Sequence, residues 1–473
     1  MKLQKRIEVA LSRYGDRTAV MLGEESIRYR ELRKRAEKNA GLLKKQGSGA
    51  VIVYGSKSIF QLVMFVSCLL AKRAYIPIDS CWPKKRIQSA AEKAGSTLLL
   101  SETKLDIPGV ACCNEAELEQ FEVQAEKEQT DETAYIIFTS GSTGEPKGVP
   151  VSRNNLDHFI GWVGSLYPLS DYAGIRVMNK ASFSFDLSVA DIYYSLCGGH
   201  TLILEHNDPD GGIGSYLAAL RKNAVTLAVA TPTFIRMCLL SGEFCWDRIP
   251  SLRCIFFCGE QLEPVTVRKL LRAFPGLEII NAYGPTESTC AVCAARITPD
   301  MLDHPVLPVG EAENCAVEIT VENSEIVLVG KSVCKGYLNG ENGGFFTRDG
   351  QNGFCTGDIG YFENGKFFCK GRKNAFIKFK GYRIELADIE HNLMRLPGVE
   401  QCAVVADYGK NEKVRALRAF VVPESGTDLE ESGIKKELSE LLPDYMIPKT
   451  IRFLPEMPLN KNGKLDRKGL CAL

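Results

Sequence analysis

A loop rich in glycine and hydroxyl side chains follows an apolar, strand-like run. Residues 139–148 read TSGSTGEPKG and end near the ammonium of Lys147. Backbone N–H groups, hydroxyls and an ammonium are the donors that bind a polyphosphate. Pro146 precedes Lys147 and Gly148 follows it, which differs from the Gly-Lys-Ser/Thr of a Walker A loop. The segment predicts a phosphate-binding loop of another type, with a plain turn as the alternative.

An isolated carboxylate, Asp186, lies in the apolar run SFSFDLSV. Burying a carboxylate is costly unless a cation pairs with it. Asp186 could bind a cationic ligand, or it could cap the helix that follows. The residues alone leave both interpretations open.

Four cysteines, Cys254, Cys258, Cys290 and Cys293, have C-x3-C and C-x2-C spacing, loosely like a zinc site. They lie in apolar, β-like sequence without the glycine-rich knuckle that turns thiolates towards a metal. We therefore expect core thiols. Most of the 17 cysteines sit in such runs, where a reduced thiol behaves as a small hydrophobe, so no disulfide framework is predicted.

Strands and helices alternate around these residues. YRELRKRAEKNAGLLKKQG places Leu32, Ala36, Ala40 and Leu43 on one helical face and stops at Gly47. VIVY and AYIPI predict strands that flank a helix over residues 59–71, and alternation resumes after residue 200. This order predicts an α/β protein with mainly parallel sheets and flanking helices.

The pattern changes twice towards the C-terminus. Between about 310 and 372 short segments with Gly-Asn turns predict a β-rich lobe. The last hundred residues predict a small, compact α+β domain, so we divide the chain into 1–373 and 374–473. The charged stretch 117–133 predicts a solvated connection.

Composition excludes several classes of protein. The 473 residues are 45% apolar and 25% charged, as in a globular chain of two to four domains. With 58 basic and 58 acidic residues, no net charge attracts nucleic acid. The longest apolar run, 62–71, is too short to cross a bilayer, and the N-terminus lacks the apolar stretch of a signal peptide. We expect a cytoplasmic protein without membrane insertion.

Six motifs occur together: TSGSTGEPKG, FSFDLSVADIY, NAYGPTEST, TGDIG, GRKNAFIKFKGYRIE and LNKNGKLDRK. In this order and spacing they resemble the adenylate-forming enzymes, which include acyl-CoA synthetases, luciferases and peptide-synthetase adenylation domains. The resemblance covers nearly the whole chain. FSFDLSVADIY, FFCGEQL and NAYGPTE look most like the D-alanine:carrier protein ligases of teichoic acid D-alanylation.

The resemblance implies an ATP site. It puts Tyr283 against adenine, Thr286 at the α-phosphate, Glu287 on Mg²⁺, Asp358 on both ribose hydroxyls and Arg372 near ribose and phosphate. An Asp in a Thr-Gly-Asp turn could instead be only a turn residue. The other expected ATP contacts are Thr139, Ser140, Gly141, Ser142, Thr143, Gly144, Lys147, Asn281, Ala282, Gly284 and Pro285.

The resemblance also implies an amino-acid pocket. In amino-acid-activating relatives the Asp at position 186 binds the substrate ammonium, and acyl-CoA synthetases lack it. Cys258 matches a cysteine of the D-alanine ligases, whereas Ala190 and Cys290 are smaller than the usual residues and predict a roomier pocket. The remaining wall residues would be Leu187, Phe256 and Ala282.

Lys464 and Asn374 would belong to the small domain. Lys464 follows a glycine and would reach the active site during adenylation, then withdraw as the domain rotates about a hinge at Asn374. Without the surrounding motif, an exposed lysine in a polar tail would be a solubilising charge. Relatives usually carry Asp or Lys at the hinge, so Asn374 departs from the pattern.

The sequence thus predicts a monomeric ligase that uses ATP and Mg²⁺ to activate a small amino acid, foremost D-alanine. The aminoacyl group would pass to the phosphopantetheine thiol of a carrier protein supplied in trans. The main alternative is a stand-alone peptide-synthetase-type adenylation enzyme for another small amino acid. Asp186 argues against a fatty acyl ligase, and the presence of Glu287 and Lys464 argues against a non-catalytic nucleotide sensor.

Overall fold

The structure, a computed structural model, describes residues 2–119, 132–139, 146–167, 174–205, 212–311, 314–338, 340, 343–372, 376–409, 414–424, 426–458 and 467–473. The chain forms two compact units. The first comprises Met1–Ser80, Ala94–Ile137 and Val149–Lys373, and the second comprises Cys81–Lys93, Phe138–Gly148 and Asn374–Leu473. Because the second unit also includes two earlier segments, the division into domains 1–373 and 374–473 stays a prediction.

Helices and strands alternate over most of the described chain. The α-helices, numbered α1 to α12 in the described residues, are Leu3–Arg13, Tyr29–Lys45, Ile59–Ala71, Lys84–Ala94, Arg153–Leu166, Leu187–Gly198, Gly212–Lys222, Pro232–Leu240, Pro264–Ala273, Leu386–Met394, Glu431–Ser439 and Arg467–Ala472. Strands β1 to β13 are Thr18–Leu22, Glu25–Arg28, Val51–Gly55, Tyr75–Asp79, Leu98–Ser101, Ala111–Cys113, Thr133–Thr139, Lys147–Ser152, Arg176–Asn179, Thr201–Leu204, Leu227–Ala230, Cys254–Phe257 and Glu278–Tyr283. Strands β14 to β25 are Cys293–Arg296, Gly310–Glu311, Glu318–Glu322, Glu325–Val329, Phe345–Arg348, Gln351–Glu363, Lys366–Arg372, Phe376–Phe379, Tyr382–Glu385, Val399–Tyr408, Val414–Pro423 and Thr450–Phe453.

Two largely parallel sheets dominate the first unit. The eight-stranded sheet has the order β14-β13-β12-β11-β9-β10-β1-β2, with antiparallel pairs at its two ends. The six-stranded sheet has the order β6-β5-β3-β4-β7-β8. Strands such as β11 and β12 are buried along their whole length, which explains their continuous apolar sequence. The predicted α/β class with mainly parallel sheets is confirmed.

Helix α2 shows how the apolar pattern produces packing. Its buried residues include Leu32, Ala36, Ala40 and Leu43, the four positions that the periodicity predicts. The helix ends at Lys45, and Gly47 takes the left-handed conformation that favours glycine. Helix α3 coincides with the predicted span 59–71, and each of its residues is buried.

The predicted β-rich lobe is a third, antiparallel sheet of the first unit. Its order is β15-β20-β19-β17-β16, and β18 pairs with β19. Asn364 and Gly365 join β19 to β20 with φ of 49° and 74°, the conformation that Asn-Gly hairpins adopt. These hairpins fix the register in which Asp358 on β19 lies opposite Arg372 on β20.

The C-terminal part of the second unit has its own core. Strands β23, β24 and β25 form a three-stranded sheet, and α10 and α11 contribute apolar residues to the same cluster. Strands β21 and β22 form a hairpin whose turn contains Lys380 and Gly381, both with positive φ. These elements confirm the α+β character expected of this region.

The charged stretch that begins at residue 117 differs from the prediction. Leu118 is fully buried in the short 3₁₀ helix Glu117–Glu119, and its carbonyl accepts a hydrogen bond from the Gln46 side chain at 2.9 Å. This apolar residue, which has a glutamate on each side, packs into the core and so fixes the start of the stretch. Residues 120–131 lie outside the described residues. In the described part of the chain, the helices are too short or too polar to span a bilayer.

Candidate functional site

The expected nucleotide residues Tyr283 and Asp358 contact each other. Tyr283 ends β13 of the eight-stranded sheet, and Asp358 lies on β19 of the β-rich sheet. The Tyr283 hydroxyl donates a hydrogen bond to Asp358 Oδ2 at 2.6 Å. Burial, followed by the Asp358 charge, holds the pKa of Tyr283 well above its usual range, so the hydroxyl remains a donor. This hydrogen bond is one of the contacts between the eight-stranded sheet and the β-rich sheet.

Local hydrogen bonds aim the Asp358 carboxylate. The Asp358 N–H donates to the Thr356 hydroxyl at 3.0 Å, and that hydroxyl donates to the Ile326 carbonyl at 2.9 Å. Gly357 has a φ of 72°, and its N–H donates to Glu325 Oε1 at 2.8 Å. Asp358 is therefore more than a turn residue, since it belongs to β19 and its side chain crosses to Tyr283. A carboxylate can accept about four hydrogen bonds, so this contact is compatible with ribose hydroxyls.

The segment after Tyr283 needs glycine at position 284. A Cβ on Gly284 would lie 2.5 Å from the Cα of Ala291, because the chain turns back sharply. The returning strand bonds to the outgoing one, with the Val292 N–H donating to the Tyr283 carbonyl at 2.8 Å. Thr289 and Cys290 both take left-handed conformations to complete the turn.

Glu287 sits in the 3₁₀ turn Thr286–Ser288 and is fully buried. The Tyr337 hydroxyl donates to Glu287 Oε1 at 2.7 Å, and the Cys334 N–H donates to the Glu287 carbonyl at 2.9 Å. The carboxylate is thus held by its own network.

One buried carboxylate oriented in this way fits a Mg²⁺ ion that takes its remaining ligands from phosphates and water. Among the described residues no group of three or more His, Cys, Asp and Glu could hold a metal ion. Cys254, Cys258, Cys290 and Cys293 are buried, as expected of core thiols. An ion at Glu287 would depend on the nucleotide for its other ligands.

Asp186 precedes α6, and its side chain is only 7% exposed. Within the described residues, the carboxylate makes no capping hydrogen bond to the first turn of α6. The structural alternative, a helix cap, is therefore wrong. Capping of α6 therefore does not explain why this carboxylate is buried.

Two buried thiols lie close to Asp186. Cys258 follows β12, and its thiol donates to the Cys290 carbonyl oxygen at 3.9 Å. The Cys258 thiol, burial and the Asp186 charge together hold the pKa of Cys290 well above its usual range. Asp186 and the two expected pocket cysteines thus belong to one neighbourhood. The other expected wall residues are buried in the same core cluster: Leu187, Ala190, Phe256 and Ala282.

Several residues expected at the nucleotide site have other partners, belong to the second unit or lie outside the described residues. Asn281 is buried, and its amide donates to the Pro308 carbonyl at 2.8 Å, so this donor is already committed within the protein. Thr139 and Lys147 belong to the second unit. The backbone of Arg372 is described, opposite Asp358, but its side chain is not. Ser140, Gly141, Ser142, Thr143, Gly144, Asn374 and Lys464 lie outside the described residues.

A buried polar network supports the segment that carries Asp186. Lys57 is 2% exposed, and its ammonium donates to the carbonyls of Asn179 and Lys180 at 3.4 and 3.2 Å. The Asn179 amide donates to both carboxylate oxygens of Asp191, at 3.0 and 2.9 Å. Asp191 lies on α6, so the network ties the end of β9 to the helix that Asp186 precedes.

The connecting segment 180–186 has a further anchor. Asp79, at the end of β4, accepts hydrogen bonds from the hydroxyls of Ser184, at 2.8 Å, and Ser182. Burial lowers the pKa of Lys57 to about 8, with Asp191 and Asp79 opposing the shift, so the ammonium stays mostly charged at pH 7. Sequence reasoning missed this network. The burial argument that singled out Asp186 applies equally to Asp191 in the same apolar run and would have found it.

The chain matches known proteins over its whole length. Residues 7–338 match the AMP-binding enzyme family, and residues 388–464 match the AMP-binding enzyme C-terminal domain. The chain is 38% identical to the D-alanine--D-alanyl carrier protein ligase of Bacillus cereus (strain B4264) over 505 aligned residues, which cover 100% of this chain and 99% of the relative. The ligase of the same name from Bacillus anthracis is 38% identical over 504 residues with the same coverage.

A solved structure has a similar fold. The Vibrio cholerae adenylation domain AlmE in complex with glycyl-adenosine-5'-phosphate superposes with a TM-score of 0.85 at 25% sequence identity. The match covers 99% of this chain and 97% of that chain.

Proposed function

This chain belongs to the AMP-binding enzyme family, and we propose that it is an ATP-dependent ligase that activates D-alanine for a carrier protein. In the first half-reaction the amino-acid carboxylate attacks the α-phosphorus of ATP, giving aminoacyl-AMP and releasing pyrophosphate. In the second, a phosphopantetheine thiol of a separate carrier attacks the acyl carbon, giving a thioester and releasing AMP. The full-length similarity to D-alanine--D-alanyl carrier protein ligases supports both steps.

The observation that carries the proposal is the neighbourhood of Asp186, Cys258 and Cys290. A buried carboxylate that does not cap its own helix is suited to pair with a substrate ammonium. The buried thiols of Cys258 and Cys290 would form part of the wall beside the substrate side chain. An acyl substrate without an ammonium could not form this ion pair.

The Tyr283–Asp358 contact supports the nucleotide subsite. Asp358 has acceptor capacity for ribose hydroxyls, and the Tyr283 ring would lie against adenine. Thr286 would contact the α-phosphate, and Arg372 the ribose and phosphate region. The loop from Thr139 to Lys147 would contribute backbone, hydroxyl and ammonium donors to the phosphates.

Mg²⁺ is part of the proposal, with Glu287 as the protein ligand. When bound, the ion would screen the negative charges of the phosphates and of the attacking carboxylate. Tyr337 would hold the Glu287 carboxylate in one orientation through its 2.7 Å hydrogen bond. A carboxylate already held in one orientation would need little reorganisation to bind the ion.

The second half-reaction assigns a mobile role to residues 374–473. We propose that Lys464 contacts the reacting phosphate during adenylation and is withdrawn by rotation at Asn374. Lys380 and Gly381, in the β21–β22 turn, would then face the pantetheine arm. Use of ATP supports a cytoplasmic setting, and a monomeric state stays a prediction.

A second candidate is activation of another small amino acid. Ala190 is fully buried on α6, and Cys290 replaces a bulkier residue expected at the wall, so the pocket could accept a side chain larger than a methyl. The AlmE structure, which contains glycyl-adenosine-5'-phosphate, is evidence that this fold also serves other small amino acids.

We expect D-alanine to give the fastest amino-acid-dependent pyrophosphate exchange in a panel of D- and L-alanine, glycine, D- and L-serine and D- and L-2-aminobutyrate. A methyl-sized difference in a closed pocket is worth about 1–3 kcal/mol, so neighbouring substrates should be slower by roughly 10–200-fold in kcat/KM. A faster rate with L-alanine or 2-aminobutyrate would favour the second candidate. No exchange with any member would refute amino-acid activation.

The Lys57 network yields a prediction about amino-acid recognition. We expect Lys57→Met to raise the KM for the amino acid at least about tenfold, because Asp191 and Asp79 lose their counter-charge and the segment carrying Asp186 loses two anchors. The KM for ATP should stay within about twofold, since Tyr283 and Asp358 are held separately. Both constants are measured by pyrophosphate exchange.

Arg73→Met provides the matched control. Arg73 is also a buried cation that donates to backbone carbonyls, those of Gly49, Leu43 and Gln46, none of which lies in the segment carrying Asp186. It should lower the thermal unfolding midpoint without changing the amino-acid KM. If both variants raised the amino-acid KM equally, the effect of Lys57→Met would reflect general instability and not a role in amino-acid recognition.

A further inference from the structure

Cys293 and Cys315 face each other across an isolated antiparallel bridge. Cys293 begins β14 of the eight-stranded sheet, whereas Cys315 lies between β15 and β16 of the β-rich sheet. Beside them, the Ala316 N–H donates to the Val292 carbonyl at 2.7 Å. This bond identifies the two cysteines as a non-hydrogen-bonded pair, for which opposite Cα atoms are about 4.5 Å apart. That separation lies inside the range of about 4.4–6.8 Å that a disulfide needs.

The two side chains already point towards each other. Opposite residues of an antiparallel pair project their side chains to the same face, and the Cys293 thiol is the main cause that lowers the pKa of Cys315. The Cys315 sulfur also lies 3.3 Å from the Glu311 carbonyl oxygen. The two thiols therefore lie on one face of the bridge, at a backbone separation that a disulfide can span. Cys258 and Cys290, by contrast, are both buried.

The two members of the pair differ in accessibility and acidity. Cys315 is partly exposed, and the Cys293 thiol holds its pKa below the usual range. Cys293 is fully buried, and burial together with the Cys315 thiol raises its pKa well above the usual range. A partly exposed thiol of low pKa beside a second cysteine is the arrangement of a peroxide-responsive pair.

We propose that Cys293 and Cys315 form a reversible intrachain disulfide when the protein meets a peroxide. The Cys315 thiolate attacks a peroxide oxygen, the O–O bond breaks, and Cys315 becomes a sulfenic acid. The released hydroxide takes up a proton equivalent to the one that the Cys315 thiol had lost and leaves as water. The Cys293 sulfur then displaces hydroxide from that sulfur, and the Cys293 proton leaves with the hydroxide as water. In sum, two thiols and hydrogen peroxide give one disulfide and two waters.

The disulfide would cross-link the same two sheets that Tyr283 and Asp358 join. In the β13–β14 pair Cys293 lies opposite Tyr283, and a Cβ on Gly310 of β15 would come within 2.9 Å of the Cys293 sulfur. Strand β15 pairs with β20, on which Arg372 lies. The bond would close a loop of about 20 residues and so restrict the unfolded chain.

The test uses the full-length protein, purified under reducing conditions and treated with one to two equivalents of hydrogen peroxide. We expect a mass loss of about 2 Da for the two hydrogen atoms, a peptide map linking Cys293 to Cys315, and reversal by dithiothreitol. The thermal unfolding midpoint should rise by roughly 3–6 °C in the oxidised form.

Cys315→Ser should abolish both the mass loss and the stabilisation, and this partly exposed position should tolerate the change. Cys355→Ser is the matched control, since Cys355 is also half-buried, on β19, but burial raises its pKa. It should behave like the wild type. A linkage of Cys315 to Cys369, a sulfinic acid at Cys315 without linkage, or an unchanged unfolding midpoint after linkage would overturn the proposal.

Discussion

Asp186→Ala is expected to abolish amino-acid activation while ATP still binds. The carboxylate is buried and does not cap α6. Its removal would leave the substrate ammonium without a counter-charge in the pocket. Leaving one member of a buried ion pair alone costs about 3–5 kcal/mol, which corresponds to a loss of roughly 10²–10³ or more in kcat/KM for the amino acid. The loss is measured by pyrophosphate exchange, and ATP binding is measured by calorimetry.

Asp186→Asn removes the negative charge of the side chain but keeps its shape, so the same experiment shows which of the two the substrate requires. The amide has nearly the same volume but cannot neutralise an ammonium, so we expect it to lose most of the activity that alanine loses. The thermal unfolding midpoint of both variants is measured alongside, so that a loss of activity is distinguished from a loss of stability. An unchanged amino-acid KM in either variant would refute the assignment of the pocket.

Lys464→Ala is expected to separate the two half-reactions. If the ammonium stabilises charge only in the adenylation transition state, its loss costs on the order of 3–4 kcal/mol there, a decrease of about 10²–10³ in rate. Transfer from pre-formed aminoacyl-AMP to the carrier should continue at the wild-type rate. The first step is followed by pyrophosphate exchange and the second by carrier mass after single-turnover mixing.

Lys461→Ala is the control for the Lys464 experiment, because it removes a lysine three positions earlier in the same motif. It should leave both half-reactions unchanged. Equal losses in both steps with Lys464→Ala, or no loss of adenylation, would contradict a lysine that acts in one conformation only.

Apolar periodicity was sufficient to predict much of the fold. The four buried positions of α2 and the bounds of α3 follow from it, because each element buries a face that its own sequence defines. Leu118 shows the limit of this reasoning. Its burial depends on a pocket formed beside Gln46, and the charged residues around Leu118 give no sign of that pocket.

Contiguous motifs singled out candidate residues, whereas contacts between distant segments were not predicted. The resemblance named Tyr283 and Asp358, but the bond between them depends on the packing of two sheets. Lys57, Asp79 and Asn179 come from three separate strand ends, and only the order of strands in the sheets brings them together. The bridge between Cys293 and Cys315 likewise involves a residue outside the main strands.

The bond between Tyr283 and Asp358 also constrains the order of events during synthesis. Its two residues are 75 positions apart, so at about 5–20 residues per second the acceptor leaves the ribosome roughly 4–15 s after the donor. A nascent chain that ends at β18 can complete the eight-stranded sheet but has no acceptor for the Tyr283 hydroxyl. If Asp358 binds the ribose as proposed, nucleotide can stabilise the chain through this contact only after the β19–β20 hairpin has emerged.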